Sequence, residues 1–535
     1  MKNLIMIAAS MFLFGTLCAQ VKVSKEFSFS VSDPYQVVDG DKYYFSKEGE
    51  VLSVKRIRGG YVLQKFAGDK LNEVERNEDD YIPDGFQLEG FMEIDERYYM
   101  FYSIYDRPNV TEQLFVREID FESAKFKDKG RLLFKVKGKV SGTMVSAAGG
   151  WGMKKVDKFS FYTTYDDSKL IVQYRLVPEE KRDALNKDKI GMYVFNGGME
   201  EIWNDNVEMP YTEKKMNNIG YAVDKKGNGF ILAEVFKDET TKRIDKEGNP
   251  NYNLELIRID GDDREVSTSS VELKDKFIKD LGFFEGANDE IVVAGYYGKD
   301  RRGGTEGVFL FKLDEDGEVI ESKDYEVPVE VMSMYMSERA QEKMKDRDEK
   351  RGVSMPSMVL REIVHFSDGS VTVIGEKFYI TEHYNSKTGT TTYTYHYHEV
   401  LMTHINGDGE LMWMKKLPKR QTGGSYRGGM SYFHMTGDGY QYVLFLDNVK
   451  NMDLALTEVP AGHRDGRGGY LTGFKVDNAS GELEKVSIFD ITDVNGIALH
   501  QFATYRIVQL SDNEFALESY KKKKEDVMVK VTLKD

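Results

Sequence analysis

Cysteine is nearly missing from this chain: Cys18 is the only one in 535 residues, and it lies in an amino-terminal apolar run. If that run is removed, disulfides, a cysteine nucleophile and cysteine-ligated zinc are all excluded. A chain this long can bury a core without such staples. Proline is also scarce, at 10 residues, while hydrophobic residues make up 40%. That is an ordinary globular composition, neither collagen-like nor disordered. Long apolar runs are missing beyond residue 17, so no transmembrane helix is expected. Excess positive charge is missing too. The formal net charge is −16, and losing Lys2 with the leader makes it −17, which argues against nucleic acid or an anionic membrane as a partner. Solubility accounts for such a charge. The motifs G-x-S-x-G, H-E-x-x-H, G-x-x-x-x-G-K-[ST] and a strand-linked G-x-G-x-x-G are absent as well.

Residues 1–19, MKNLIMIAASMFLFGTLCA, place Lys2 before an apolar stretch from Leu4 to Leu17. This reads as a signal peptide cleaved after Ala19, leaving Gln20. Lipid attachment at Cys18 is disfavoured, because bulky Leu17 stands where a small residue is needed. The chain is therefore expected to be exported, to the periplasm or beyond the cell.

Residues 401–416, LMTHINGDGELMWMKK, set the pattern of the rest. Leu401, Thr403 and Ile405 alternate with Met402, His404 and Asn406, the period of a two-faced strand. Asn406-Gly407-Asp408-Gly409 supplies turn residues, and apolar alternation resumes at Leu411. Versions of this hairpin recur at 192–203, 254–266, 310–319 and 471–485. One hairpin is marginal alone and needs neighbours to cover its apolar face. The repeats resemble those of bacterial secreted β-propeller proteins, whose outer blade turns are rich in Asp, Asn and Gly and sometimes followed by Trp. The resemblance implies an all-β propeller and assigns no activity.

A second periodic signal agrees. Strand-like segments marked by Tyr44, Tyr99, Phe159, Phe230, Ile291, Val371, Tyr442 and Phe515 follow polar or Gly turns, spaced about 55 to 80 residues apart. Eight units of about four strands each nearly exhaust residues 20–535, giving a single eight-bladed propeller. Seven blades with one irregular unit, or two packed β domains, would use the same segments. After Phe515 one more strand is visible, at 526–533, and a spare strand, 21–31, stands at the other end. Pairing them would close the ring and remove an exposed edge. Three insertions interrupt the pattern: a charged, helix-prone 178–189, a helix between Ser337 and Gly352, and a long hairpin over 378–400 turning at 385–389.

All eight histidines lie between His365 and His500. His396 and His398 share a strand face, but a metal needs further ligands, and with the hairpin turning near 387–388 His383 falls near Thr392, too far away to join. No metal is expected. Asp314–Gly317 and Asp224–Gly229 are better explained as β-turns than as calcium loops, since the later ligands are missing. Quinoprotein propellers carry a docking Trp in most blades. Only Trp151, Trp203 and Trp413 occur here, and no cofactor is expected. Gly-rich basic loops recur at 299–304, 419–429 and 463–469. Backbone amides beside Arg can cradle an anion or a carboxylated sugar. Arg301, Arg302, Arg464 and Arg467 are the candidate binding residues, on loops expected to join the second and third strands of their blades. Flexible hairpin tips would share this composition.

These features point to a cell-envelope binding or scaffold module for a protein or glycan, not to an enzyme. The alternative is a propeller hydrolase or lyase acting on carbohydrate. Its carboxylates cannot be chosen from 90 acidic residues without a structure.

Overall fold

A computed structural model describes residues 27–146, 153–177, 186–238, 240–271, 275–424, 429–465, 468–500 and 502–533. The leader, Cys18, Arg467 and residues 178–185 of the first insertion lie outside them. Its last residues, 187–189, belong to the strand Lys187–Asn196.

The chain is a β-propeller. Blades 1 to 8 occupy 42–79, 87–137, 160–212, 216–271, 277–326, 359–417, 433–490 and 507–533, with a hairpin of Thr143–Ser146 and Met153–Val156 between blades 2 and 3. Each blade is a meander of antiparallel strands, and the first strands of successive blades lie side by side around the axis, as in blades 3 to 6. Burial follows position in the blade. The second and third strands are sandwiched between neighbouring blades, so every residue of Gly229–Phe236 and Ile291–Gly298 is buried. Such strands read as continuous apolar runs. The fourth strands face solvent on the rim, as in Val319–Glu326, and are mostly polar.

The core is a set of apolar slabs between blades. Phe230, Leu232 and Leu254 of blade 4 pack against Ile291, Val293 and Phe309 of blade 5. The Asn/Asp/Gly turns stitch the slabs. Asn406 Oδ1 accepts from the Glu410 amide at 2.7 Å, and Gly409 takes φ +70°. Trp413, after that turn, donates Nε1–H to the Asn478 carbonyl of blade 7 at 2.8 Å. Trp203 makes the same bond to Gly227 of blade 4 at 2.7 Å. Both indoles lock one blade's outer strand to the next blade.

Blade 8 takes three strands from the carboxy-terminal end and two from the amino-terminal end, Phe27–Val31 and the short Tyr35–Gln36. Phe27–Val31 pairs antiparallel with Glu525–Leu533, Phe27 opposite Leu533 and Val31 opposite Val529. The helix Glu338–Arg351 follows Ser337 and ends at Gly352, whose φ of +73° no longer suits a helix. The long hairpin turns as its sequence implies, with Asn385 opposite Thr390 and His383 opposite Thr392.

Two of the eight marker segments sit one strand out of register. Tyr44 lies in the first strand of blade 1, and Phe159 directly precedes the first strand of blade 3, whereas Tyr99, Phe230 and Ile291 lie in second strands. The true counterparts are Glu50–Ile57 and Lys169–Arg175. Aromatic Tyr43, Tyr44 and Phe45 mimic a buried second strand because the first strand of blade 1 is covered on both sides: Tyr43 and Phe45 pack on blade 2, Tyr43 against Phe91 at 4.4 Å, and Tyr44 faces blade 8.

Candidate binding face

Antiparallel strands alternate in direction, so the connections divide between two faces. The links within first–second and third–fourth strand pairs are tight turns on one face, here the turn face. The links between second and third strands, and those between blades, emerge on the other, the loop face. The long hairpin, the helices of 329–351 and the loops 236–252, 298–307, 447–470 and 490–507 all belong to the loop face.

On the turn face, Tyr165 of blade 3 reaches past blade 4. Its amide donates to Glu285 of blade 5 at 2.8 Å, and its ring packs on His365 of blade 6 at 4.8 Å. Glu285 also accepts from the Lys225 amide of blade 4 at 2.6 Å. One carboxylate thus ties three blades at that end of the axis.

Near the loop face, the first strands of blades 2, 4, 5 and 6 each carry one extra residue against the second strand: Glu89, Ile219, Lys279 and Arg361. A β-bulge re-aims its side chain and is common beside functional sites. Glu89 accepts from the Lys158 amide at 3.3 Å and from Ser103, and burial pushes its carboxyl up to about 7. Lys279 donates to the carbonyls of Arg301 at 3.0 Å and Gly303 at 2.9 Å, and burial pulls its ammonium down. Arg361 binds Glu376 at 2.9 Å. No local pattern announces these bulges, because a bulge is defined by its partner strand.

Arg301 and Arg302 occupy the loop between the second and third strands of blade 5, and both are exposed. Arg301 lines a cavity of about 440 Å³ between blades 4 and 5, beside Lys279, Asp280 and the Arg243–Glu234 ion pair of 2.6 Å. Arg302 lies outside that lining. Arg464 occupies the corresponding loop of blade 7 and lines a different cavity, of about 470 Å³, with Arg420 and His463. The structure therefore separates Arg301 from Arg464 while placing both loops on one face. A third cavity, of about 760 Å³, lies between blades 7 and 8 and mixes Leu446, Ile491 and Phe502 with Asp465, His500 and Arg506.

Arg420 lies in the Gly-rich basic loop 419–429 that the sequence singles out, but it is not among the four candidate arginines. It precedes the short strand Gln421–Gly423, which pairs antiparallel with the long hairpin and parallel with His463–Arg464. Beneath this ribbon lies a buried ionic cluster. Lys419 Nζ contacts Glu376 at 2.6 Å and donates to the Tyr397 carbonyl at 3.0 Å. Glu376 also holds Arg361 and accepts from Ser431 at 3.1 Å. Gln421 donates to the Leu446 carbonyl at 2.7 Å. These bonds fix the root of the hairpin and the position of Arg420.

His396 and His398 lie on one face of the hairpin with ring centres 5.5 Å apart. Among the described residues, no group of three or more His, Cys, Asp or Glu side chains is arranged to hold a metal ion. Asp224 and Asp314 serve their own turns, accepting from the amides of Asn228 at 2.8 Å and Glu318 at 2.9 Å. No described helix is long and apolar enough to cross a membrane.

No protein-family model matches the chain, and no curated protein matches it. Solved structures resemble it in fold alone. A prolyl endopeptidase matches at 10% identity and TM-score 0.40, over 95% of this chain and 55% of its own, so the present chain spans little more than half of that protein. The WD40 domain of SCAP from fission yeast matches at 9% identity and TM-score 0.36, over 95% of both chains. The β-propeller domain of the Trilobed protease from Pyrococcus furiosus matches at 10% identity and TM-score 0.33, over 86% of this chain and 97% of its own.

Proposed function

We propose that this propeller is an exported binding module of the cell envelope, and that its loop face takes a protein or glycan partner. One observation carries the reading. The extensions beyond the bare blade pattern, namely the long hairpin, the helices and the 447–470 loop, are gathered on one face, together with three cavities. A scaffold that elaborates one face and keeps the other as tight turns concentrates recognition where it is elaborated. The leader read in residues 1–19 supports export.

The test is retention of the purified protein on isolated envelope fractions, polysaccharide and membrane-protein extract separately. Retention should be saturable and should fall when the hairpin tip, residues 380–395, is replaced by a short Gly-containing turn. Retention indifferent to the hairpin, or conversion of the polysaccharide into smaller products, would overturn it.

A further inference from the structure

We infer that the strip from the long hairpin to His463–Arg464 binds an acidic sugar, one bearing a carboxylate or sulfate; this rests on the loop-face reading above. Strand register assembles the strip. Tyr379 lies opposite His396, His396 opposite Thr422, and Thr422 opposite Arg464. Directly opposed residues share a face of a sheet, and Arg420, two before Thr422, joins them. The alternate residues Gln421 and His463 turn inward and are buried.

Two kinds of chemistry meet on this face. Tyr379 is 39% exposed and stacks on His396 with ring centres 4.3 Å apart and planes 6° apart. His396 Nε2 is in turn hydrogen-bonded to Thr381 Oγ1 at 2.9 Å. This gives a rigid flat surface for the C–H face of a sugar ring. Beside it stand Arg420 and Arg464. Both are exposed, and neither guanidinium has an ion-pair or hydrogen-bond partner among the described residues. Their shared cavity of about 470 Å³ is lined by no carboxylate, although the chain holds 90 acidic residues against 74 basic ones.

His463 supplies the independent sign of a ligand. It is 3% exposed, lines the same cavity, and its Nε2 has no hydrogen-bond partner among the described residues. A buried polar atom left unpaired calls for a partner. The acids behind it are engaged elsewhere. Asp447 accepts from Asn451 at 2.7 Å and contacts Lys485 at 3.4 Å, and Asp465 accepts from the Gly429 amide at 3.0 Å. Gly469, with φ +135°, completes the wall. A Cβ there would stand 2.7 Å from the Asp447 carbonyl oxygen and 3.0 Å from the His463 ring.

The test is calorimetric titration of the purified protein with three acidic oligosaccharides, an oligogalacturonide, an oligomannuronate and a heparin-derived oligomer. Each is paired with its neutral form, methyl-esterified for the two uronides and both desulfated and methyl-esterified for the heparin-derived oligomer. At least one acidic member should bind, with its neutral form about 10-fold weaker or worse. Arg420→Ala and Arg464→Ala should each weaken the acidic member by about 10-fold or more. Tyr379→Ala should weaken both forms. All three positions are exposed, and unchanged melting of the variants confirms that the fold is intact. No binding across the panel, equal binding of acidic and neutral forms, or wild-type affinity in both arginine variants would overturn the inference. Silence across the panel with envelope retention intact removes only the sugar. Loss of retention as well removes the binding module itself.

Discussion

Lys42 of the first blade reaches Glu518 of the last at 2.6 Å, and both side chains are almost wholly buried. Glu518 also accepts from Tyr35 at 2.6 Å, from Tyr44 at 2.7 Å and from Lys55. Lys42 adds Asp526 at 2.8 Å. The seam of the ring therefore holds a buried ionic cluster beside its apolar contacts. A buried charge is tolerated when its partners are close and numerous, and is costly once they are removed. Glu518→Ala should cost about 3–5 kcal/mol in urea unfolding, because it strands the buried Lys55 ammonium and leaves Lys42 with Asp526 alone. A cost under about 1 kcal/mol would contradict the seam.

The same carboxylate makes the fold acid-sensitive. Glu518 is held far below the usual carboxylate range, by Lys55 and then Lys42 against the opposing cost of its own burial. A depressed folded pKa contributes stability that is full above the unfolded value and is lost as pH falls. Glu89 acts in the opposite sense. Burial raises it to about 7, so its contribution is most favourable at acid pH and declines as pH rises from about 4.5 to about 7. Between those values, wild-type stability relative to Glu89→Gln should fall by on the order of 1–3 kcal/mol. Parallel pH profiles for the two proteins would contradict the burial of Glu89.

The amino-terminal strand should be needed for closure. Ser28 lies opposite Thr532, within the Cα separation that a disulfide spans. Residues 20–535 contain no cysteine. Ser28→Cys with Thr532→Cys should therefore form one intramolecular disulfide and raise the melting midpoint. Removing residues 27–31 should expose the edge of Glu525–Leu533 and cause self-association, read by light scattering.

The indole clamps can be tested singly. Trp413 is 6% exposed, and Gly481, with φ +65°, lies against its ring. Trp413→Ala should cost about 3–5 kcal/mol in urea unfolding by opening a cavity between blades 6 and 7. Trp413→Phe should cost less, since it keeps most of the packing and loses the bond to the Asn478 carbonyl.

Much of this architecture was legible in the sequence because a propeller writes its pattern many times. Buried second strands such as Ile291–Gly298 stand out as apolar runs, and turns such as 406–410 stand out as Asn, Asp and Gly. Blade 1 misled because its first strand is aromatic for a different reason, packing sideways on Phe91. The site was less legible. The sequence picked out Arg301 and Arg464 by their glycine-rich surroundings, but their assignment to separate cavities depends on which blades adjoin. Arg420 gains its place only through pairing of Gln421–Gly423 with strands on either side. The bulges at Glu89, Lys279 and Arg361 depend on register in the same way.

The most direct test of the functional account is hydrogen exchange on the purified protein, with and without the envelope fraction that retains it. The loop face should gain protection, at 376–400, 417–424 and 447–465, while the turns at 94–97, 164–168 and 224–228 stay unchanged. Protection confined to those turns would place recognition on the opposite face and contradict the account.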